Sequence, residues 1–76
     1  MKAIVTVTLK PGVLDPQGRA IESALGGLGF AGVNGVRAGK IFELDLADGT
    51  PREAVEDMAR KLLANGVIEN FKVELP

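Results

Sequence analysis

Ten residues, Leu9-Lys10-Pro11-Gly12-Val13-Leu14-Asp15-Pro16-Gln17-Gly18, constrain this chain more than any other stretch. Two prolines fix φ and two glycines open backbone conformations closed to other residues. Asp15-Pro16 reads as a helix start, with an acid at the N-cap and proline at the first helical position. The stretch therefore separates a strand-like run from a helix-like run. Val13 and Leu14 are apolar in a connection where polar turn residues are usual. Such a pair either tucks under the domain or meets a partner.

Upstream, Lys2 to Lys10 alternates, with Ala3, Val5, Val7 and Leu9 on one face and Lys2, Ile4, Thr6, Thr8 and Lys10 on the other. That is the period of a strand with one buried face. Downstream, Ala20, Ile21, Ala24, Leu25 and Leu28 form a helical stripe that Gly29 stops. Val33 to Arg37 reads as a short second strand and Ala38-Gly39 as a turn. Lys40 to Ala47 reads as a third strand, with Phe42, Leu44 and Leu46 on one face. Thr50 and Glu53 have the capping-box spacing. They precede a second helical stripe of Val55, Met58, Ala59, Leu62 and Leu63, which Asn65-Gly66 ends. Phe71, Val73 and Leu75 alternate as a fourth strand.

The order β-α-β-β-α-β predicts an α+β fold, ferredoxin-like or a variant of it. It has an antiparallel four-stranded sheet with both helices on one face, in a single domain over residues 1–76. Ile4 and Ile41 fall on the opposite, open face and form a contact surface if they cluster. A domain this small gains on burial about what it loses on ordering, so assembly with a second copy is expected to supply stability.

The chain has neither His nor Cys, which removes the commonest catalytic bases, thiol nucleophiles and most zinc chemistry. Net charge is −1, from nine Lys/Arg and ten Asp/Glu, and three Phe are its only aromatics. A nucleic-acid footprint needs a basic face and stacking platforms, and both are missing. No apolar run reaches membrane-spanning length. A cytosolic protein without disulfides is the expectation. Glu43 with Asp45, and Glu53, Glu56 and Asp57, read as solvated surface. Arg37 and Lys40 flank a tight turn with no neutralising acid close in sequence; the pair reads as a solvated hairpin, or alternatively as one that suits an acidic patch or a phosphate.

Three motifs resemble one family. Gly12-Val13-Leu14-Asp15-Pro16-Gln17-Gly18 is similar to the GVLDPQG signature of the PurS family. Val36-Arg37-Ala38-Gly39-Lys40 is similar to its V-R-x-G-K hairpin, and the run from Lys61 to Phe71 to its K-L-L-A-N-x-V-I-E-x-Y segment. Gly66, Phe71 and Ala59 depart from the usual family residues, and Phe71 lacks the hydroxyl of the family's tyrosine. The resemblance implies the small, non-catalytic subunit of phosphoribosylformylglycinamidine synthase, the ATP- and glutamine-dependent ligase of purine biosynthesis. It implies a glutaminase partner, PurQ, and a large synthetase partner, PurL, with this subunit bridging them and assisting ammonia transfer. ATP and Mg would belong to the synthetase, with no cofactor on this chain.

The interface candidates are then Val13, Leu14, Asp15, Pro16, Gln17 and Gly18 in the loop, Arg37, Gly39 and Lys40 at the hairpin, and Ile4 and Ile41 on the open face. A homodimer or a dimer of dimers is expected. The competing reading is a ferredoxin-like regulatory module that binds a small molecule at a dimer interface.

Overall fold

The computed structural model describes residues 1–76. Its elements are β1 (Lys2–Leu9), α1 (Pro16–Gly27), β2 (Gly39–Asp45), α2 (Arg52–Met58), a π-helical turn over Ala59–Leu63, and β3 (Glu69–Glu74). The sheet has three strands in the order β2-β1-β3, and both pairings are antiparallel. Val5 lies opposite Phe42 on one side and Val73 on the other, so the alternating apolar residues of all three strands share one face. Ala3, Val5, Val7 and Val73 are buried there against Val55 and Ala59 of the second helical segment.

The expected four-stranded sheet is therefore corrected to three strands. Val33–Arg37 does not form a strand. Asn34-Gly35 interrupts the run, and Gly in a strand interior has no side chain to pack. No backbone N–H from Val33 to Arg37 finds a partner within the chain. The end of the segment is taken up by other contacts instead. The Val36 carbonyl lies against Gly18, and Arg37 and Ala38 are bound to the loop that precedes α1.

The expectation that both helices cover the sheet is corrected as well. Only α2 and the π-turn do so. α1 starts as the sequence predicts, with Asp15 as N-cap and Pro16 in the first turn. It ends in a Schellman motif, in which Phe30 N–H donates to the Leu25 carbonyl at 3.0 Å and Gly29 N–H to the Gly26 carbonyl at 3.1 Å. Gly29 has φ +93°, which a residue with a Cβ rarely adopts. Between these caps, however, α1 runs away from the sheet with its apolar stripe uncovered. The molecule measures 48 × 25 × 14 Å.

Two further expectations fail locally. Thr50 does not cap α2. Pro51 holds that position with no side-chain cap, and the Thr50 hydroxyl donates to the Ala47 carbonyl at 2.6 Å within the Asp48-Gly49 turn. Thr50→Ala is accordingly expected to change stability by less than about 0.5 kcal/mol, where a true cap would cost about 1 kcal/mol. Urea denaturation of the two proteins measures the difference. Leu62 also leaves the predicted stripe and is 83% exposed. The Ala64 N–H reaches back to the Ala59 carbonyl, an i to i+5 bond. The extra residue in that turn rotates Leu62 to solvent while Leu63 stays packed.

Candidate functional site

The loop between β1 and α1 is built around the Asp15 carboxylate. Gly12, with φ +85°, turns the chain after Pro11, and Val13 N–H closes the turn on the Lys10 carbonyl at 3.1 Å. Asp15 follows, only 7% exposed. One carboxylate oxygen accepts from Gly18 N–H at 2.7 Å, as an N-cap should. The other accepts from Ala38 N–H at 2.9 Å, tying the start of α1 to the chain that returns into β2. These bonds favour the charged form. The Gly18 bond and then the Ala38 bond hold the Asp15 carboxyl below its usual value of 3.8, with Arg37 helping and burial opposing.

Arg37 completes the knot. Its guanidinium donates to the Leu9 carbonyl at 2.6 Å and the Lys10 carbonyl at 3.1 Å. Sequence reading left Arg37 uncompensated and available. The structure commits it to two carbonyls at the end of β1, and it lies close enough to Asp15 for its charge to act on that carboxylate. Lys40 Nζ lies 3.8 Å from Glu69 across the sheet end, a partly exposed pair of small energetic weight. Gly39 is required where it sits, because a Cβ there would stand 2.6 Å from the Val7 carbonyl oxygen.

Around this knot lie two clefts. One, of about 280 Å³, has Val7, Leu9 and Ala38 in its lining, with Asp15, Gln17, Lys40 and Glu69 as its polar groups. The other, of about 500 Å³, runs between Val13, Leu14 and Arg19 on one side and Val36 and Arg37 on the other. Leu14 stands 64% exposed at its edge, so it faces outward from a loop whose backbone is otherwise fixed. Pro16, Gln17 and Gly18 form the first turn of α1. Gly18 is buried under the Val36 carbonyl and serves the architecture, while Gln17 is exposed.

Ile4 and Ile41 stand apart from the loop on the open sheet face. Ile4 is opposite Glu43 and Ile41 opposite Thr6, so the two are diagonal neighbours on paired strands. Ile41 is 67% exposed. Ion pairs flank them, Lys2 with Glu43 at 3.6 Å and Lys72 with Glu74 at 3.5 Å. No three carboxylates converge in an arrangement that holds a metal ion, and no helix is long and apolar enough to cross a membrane. The site thus presents fixed backbone, one outward leucine and shallow clefts.

Sequence reading missed two features. Ala38 contributes through its N–H, which no residue identity announces. Leu28, which the sequence places on the stripe of α1, and Phe30, which it leaves unassigned, are large exposed apolar residues on either side of the Gly29 stop.

The comparisons with known proteins agree over the full length. The family model for PurS, phosphoribosylformylglycinamidine (FGAM) synthase, matches residues 2–76. The phosphoribosylformylglycinamidine synthase subunit PurS of Mycobacterium leprae is 46% identical over 72 residues, covering 95% of this chain and 91% of that protein. The crystal structure of Bacillus subtilis PurS superposes with a TM-score of 0.85 at 44% identity, over 96% of this chain and 94% of that one. A chain in the structure of PurLQS from Thermotoga maritima gives a TM-score of 0.81 at 29% identity, over 96% and 93% of the two chains. With residues 2–76 matched by the family model and relatives above 40% identity over nearly the whole chain, the chain belongs to the PurS family of phosphoribosylformylglycinamidine synthase subunits.

Proposed function

We propose that this chain is the assembly subunit of the synthase, bridging a PurQ-type glutaminase and a PurL-type synthetase and assisting ammonia transfer between them. The observation that carries the reading is the match over residues 2–76, joined to a likeness to a chain within a PurLQS complex. The residue inventory supports a non-catalytic part, since neither a thiol nor an imidazole is available for glutamine hydrolysis. ATP and Mg are assigned to the synthetase partner. The chain itself acts as a homodimer. Its loop from Val13 to Gly18 offers the partner a surface already fixed in shape, which keeps the ordering cost of docking low.

Co-purification with both partner subunits, with and without glutamine and ATP, tests this reading. A stable complex that amidates formylglycinamide ribonucleotide only when this chain is present is the expected result. Full activity from the two larger subunits alone would overturn it. Leu14→Ala locates the contact. Because Leu14 is exposed, its truncation should change stability by less than about 0.5 kcal/mol, as for other surface positions. Affinity for the larger subunits should fall about tenfold or more, as for a buried interface anchor. Calorimetry on the isolated protein and titration of the complex read the two effects separately.

A further inference from the structure

The chain has three asparagines, and two of them precede glycine, in Asn34-Gly35 and Asn65-Gly66. In such a pair the backbone nitrogen of the glycine can attack the side-chain amide carbon of the asparagine and close a succinimide ring. The residue after asparagine governs the attack, because a Cβ there obstructs the approach and glycine has none. The third asparagine, Asn70, precedes Phe71 within β3 and is obstructed. By sequence the two Asn-Gly pairs are equivalent. The fold separates them.

Asn65 is tied at every polar group that the reaction must move. Its side-chain oxygen accepts from Val67 N–H at 3.0 Å, an Asx turn, and its own N–H donates to Glu69 Oε1 at 2.7 Å. Its carbonyl accepts from Ile68 N–H at 3.1 Å and from Glu69 N–H at 2.7 Å. Ring closure needs rotation about both χ1 and ψ of the asparagine. At Asn65 the first rotation swings the side-chain oxygen away from Val67. The second swings the carbonyl away from both of its donors. The turn must therefore open before Asn65 can react.

Asn34 has no such restraint. Both it and Gly35 are exposed. No backbone N–H from Val33 to Arg37 finds a partner within the chain, and the Asn34 carbonyl accepts no bond. Beyond the neighbours in the chain, only Glu22 Oε1 comes within 4 Å of the point where a Cβ on Gly35 would stand, at 3.9 Å. The Asn34 side chain can close on the Gly35 nitrogen without displacing anything.

We propose that Asn34 is a site of spontaneous deamidation in the folded protein. Solvent hydroxide takes the proton from Gly35 N–H, and that nitrogen bonds to the side-chain carbon of Asn34. The bond from this carbon to the amide nitrogen breaks, and the nitrogen leaves as ammonia with a proton from water. Water then opens the succinimide at either carbonyl, giving aspartate or isoaspartate. Water is consumed, ammonia is released, and nothing is oxidised or reduced. The product puts a new carboxylate on the stretch from Ala20 to Val36, whose one charged residue is Glu22. In the isoaspartyl form the main chain also runs through the former side-chain carbon, just ahead of the Val36 carbonyl that lies against Gly18.

The test is to age the folded, full-length protein in heavy-oxygen water at mildly alkaline pH and then digest it with trypsin in ordinary water. Heavy oxygen then marks only the residues modified during ageing, and mass spectrometry locates it. Cleavage after Arg19 and Arg37 leaves Asn34 as the one asparagine of its peptide, and cleavage after Lys61 and Lys72 releases Asn65. Label at Asn34 should build up about tenfold or more faster than at Asn65, where hydrogen bonds must open first. In concentrated urea the two rates should converge. Gly35→Ala, which adds the obstructing Cβ in open space, should suppress the label at Asn34. Equal rates in the folded protein, or a faster rate at Asn65, overturn the proposal. So does an Asn34 that stays unlabelled in the folded protein while it is modified in urea. Label at Asn34 that is undiminished by Gly35→Ala overturns the route through the glycine nitrogen, and the proposal with it.

Discussion

Gly18→Ala is expected to lower Tm by roughly 15 °C. A Cβ at position 18 would collide with the Val36 carbonyl and stand 2.8 Å from an Asp15 carboxylate oxygen. The first of these is backbone and cannot rotate aside. Alanine does favour a helix over glycine by about 1 kcal/mol. Overpacking against fixed atoms costs about 1–3 kcal/mol and occasionally more; here the returning chain must move as a unit, which puts the cost at about 3–4 kcal/mol and the net loss at about 2–3 kcal/mol. Each kcal/mol moves Tm by roughly 4–8 °C in a domain of this size. The damage should be local first. Displacing Val36 pulls Ala38 from Asp15, so amide exchange at Ala38 should quicken even where the sheet remains protected. An unchanged Tm with a protected Ala38 amide would show that the contact between helix and returning chain is looser than described.

Asp15→Asn is expected to remove most of the acid sensitivity of folding. An asparagine amide presents one oxygen and one NH2 to two backbone N–H groups that both need an acceptor. One of the bonds to Gly18 and Ala38 is lost, and a donor is left facing a donor. In the wild type the folded carboxyl titrates below its ordinary value of 3.8, so the stability it lends is complete above that value. It disappears as pH falls through the lower, folded value. The variant should be clearly less stable than wild type at pH 7. The gap should narrow as the buffer is taken below about pH 4, because the wild-type acid is then being protonated. Urea denaturation across that range measures it. Curves that stay parallel to the lowest pH would mean that the Asp15 charge contributes nothing to the fold.

Local chemistry was the most legible part of the sequence. The Asp15-Pro16 start and the Gly29 stop of α1 depend on residues within one turn of each other, and both are found in place. The alternation of Ala3, Val5 and Val7 fixed the inward face of β1, because a strand has only two sides. Placement of elements against each other was harder to read. Val33 and Val36 suggest a strand, yet a strand exists only where a neighbour supplies hydrogen bonds, and none does. The stripe Ala20, Ile21, Leu25 and Leu28 shows that α1 has a face to cover without showing what covers it. Leu62 fell out of its stripe through one π-type bond, which shifts the helical phase without any marker such as proline. In the site, Leu14 was visible as an apolar residue in a turn. The second bond of Asp15 was not, because it joins the carboxylate to the N–H of Ala38, far away in the sequence.

The central position of β1 has a consequence for how the molecule comes into being. Of the three strands, the one made first is the one that both others need, since Val5 pairs with Phe42 and also with Val73. Its inward residues, Ala3, Val5 and Val7, become fully buried only once α2 and β3 have been synthesised. Until then β1 is an apolar ribbon with at least one free edge, the kind of segment that joins other chains. Proline and glycine immediately after it stop the ribbon from lengthening. Lys2, Thr6 and Thr8 on its outer side keep one face wet.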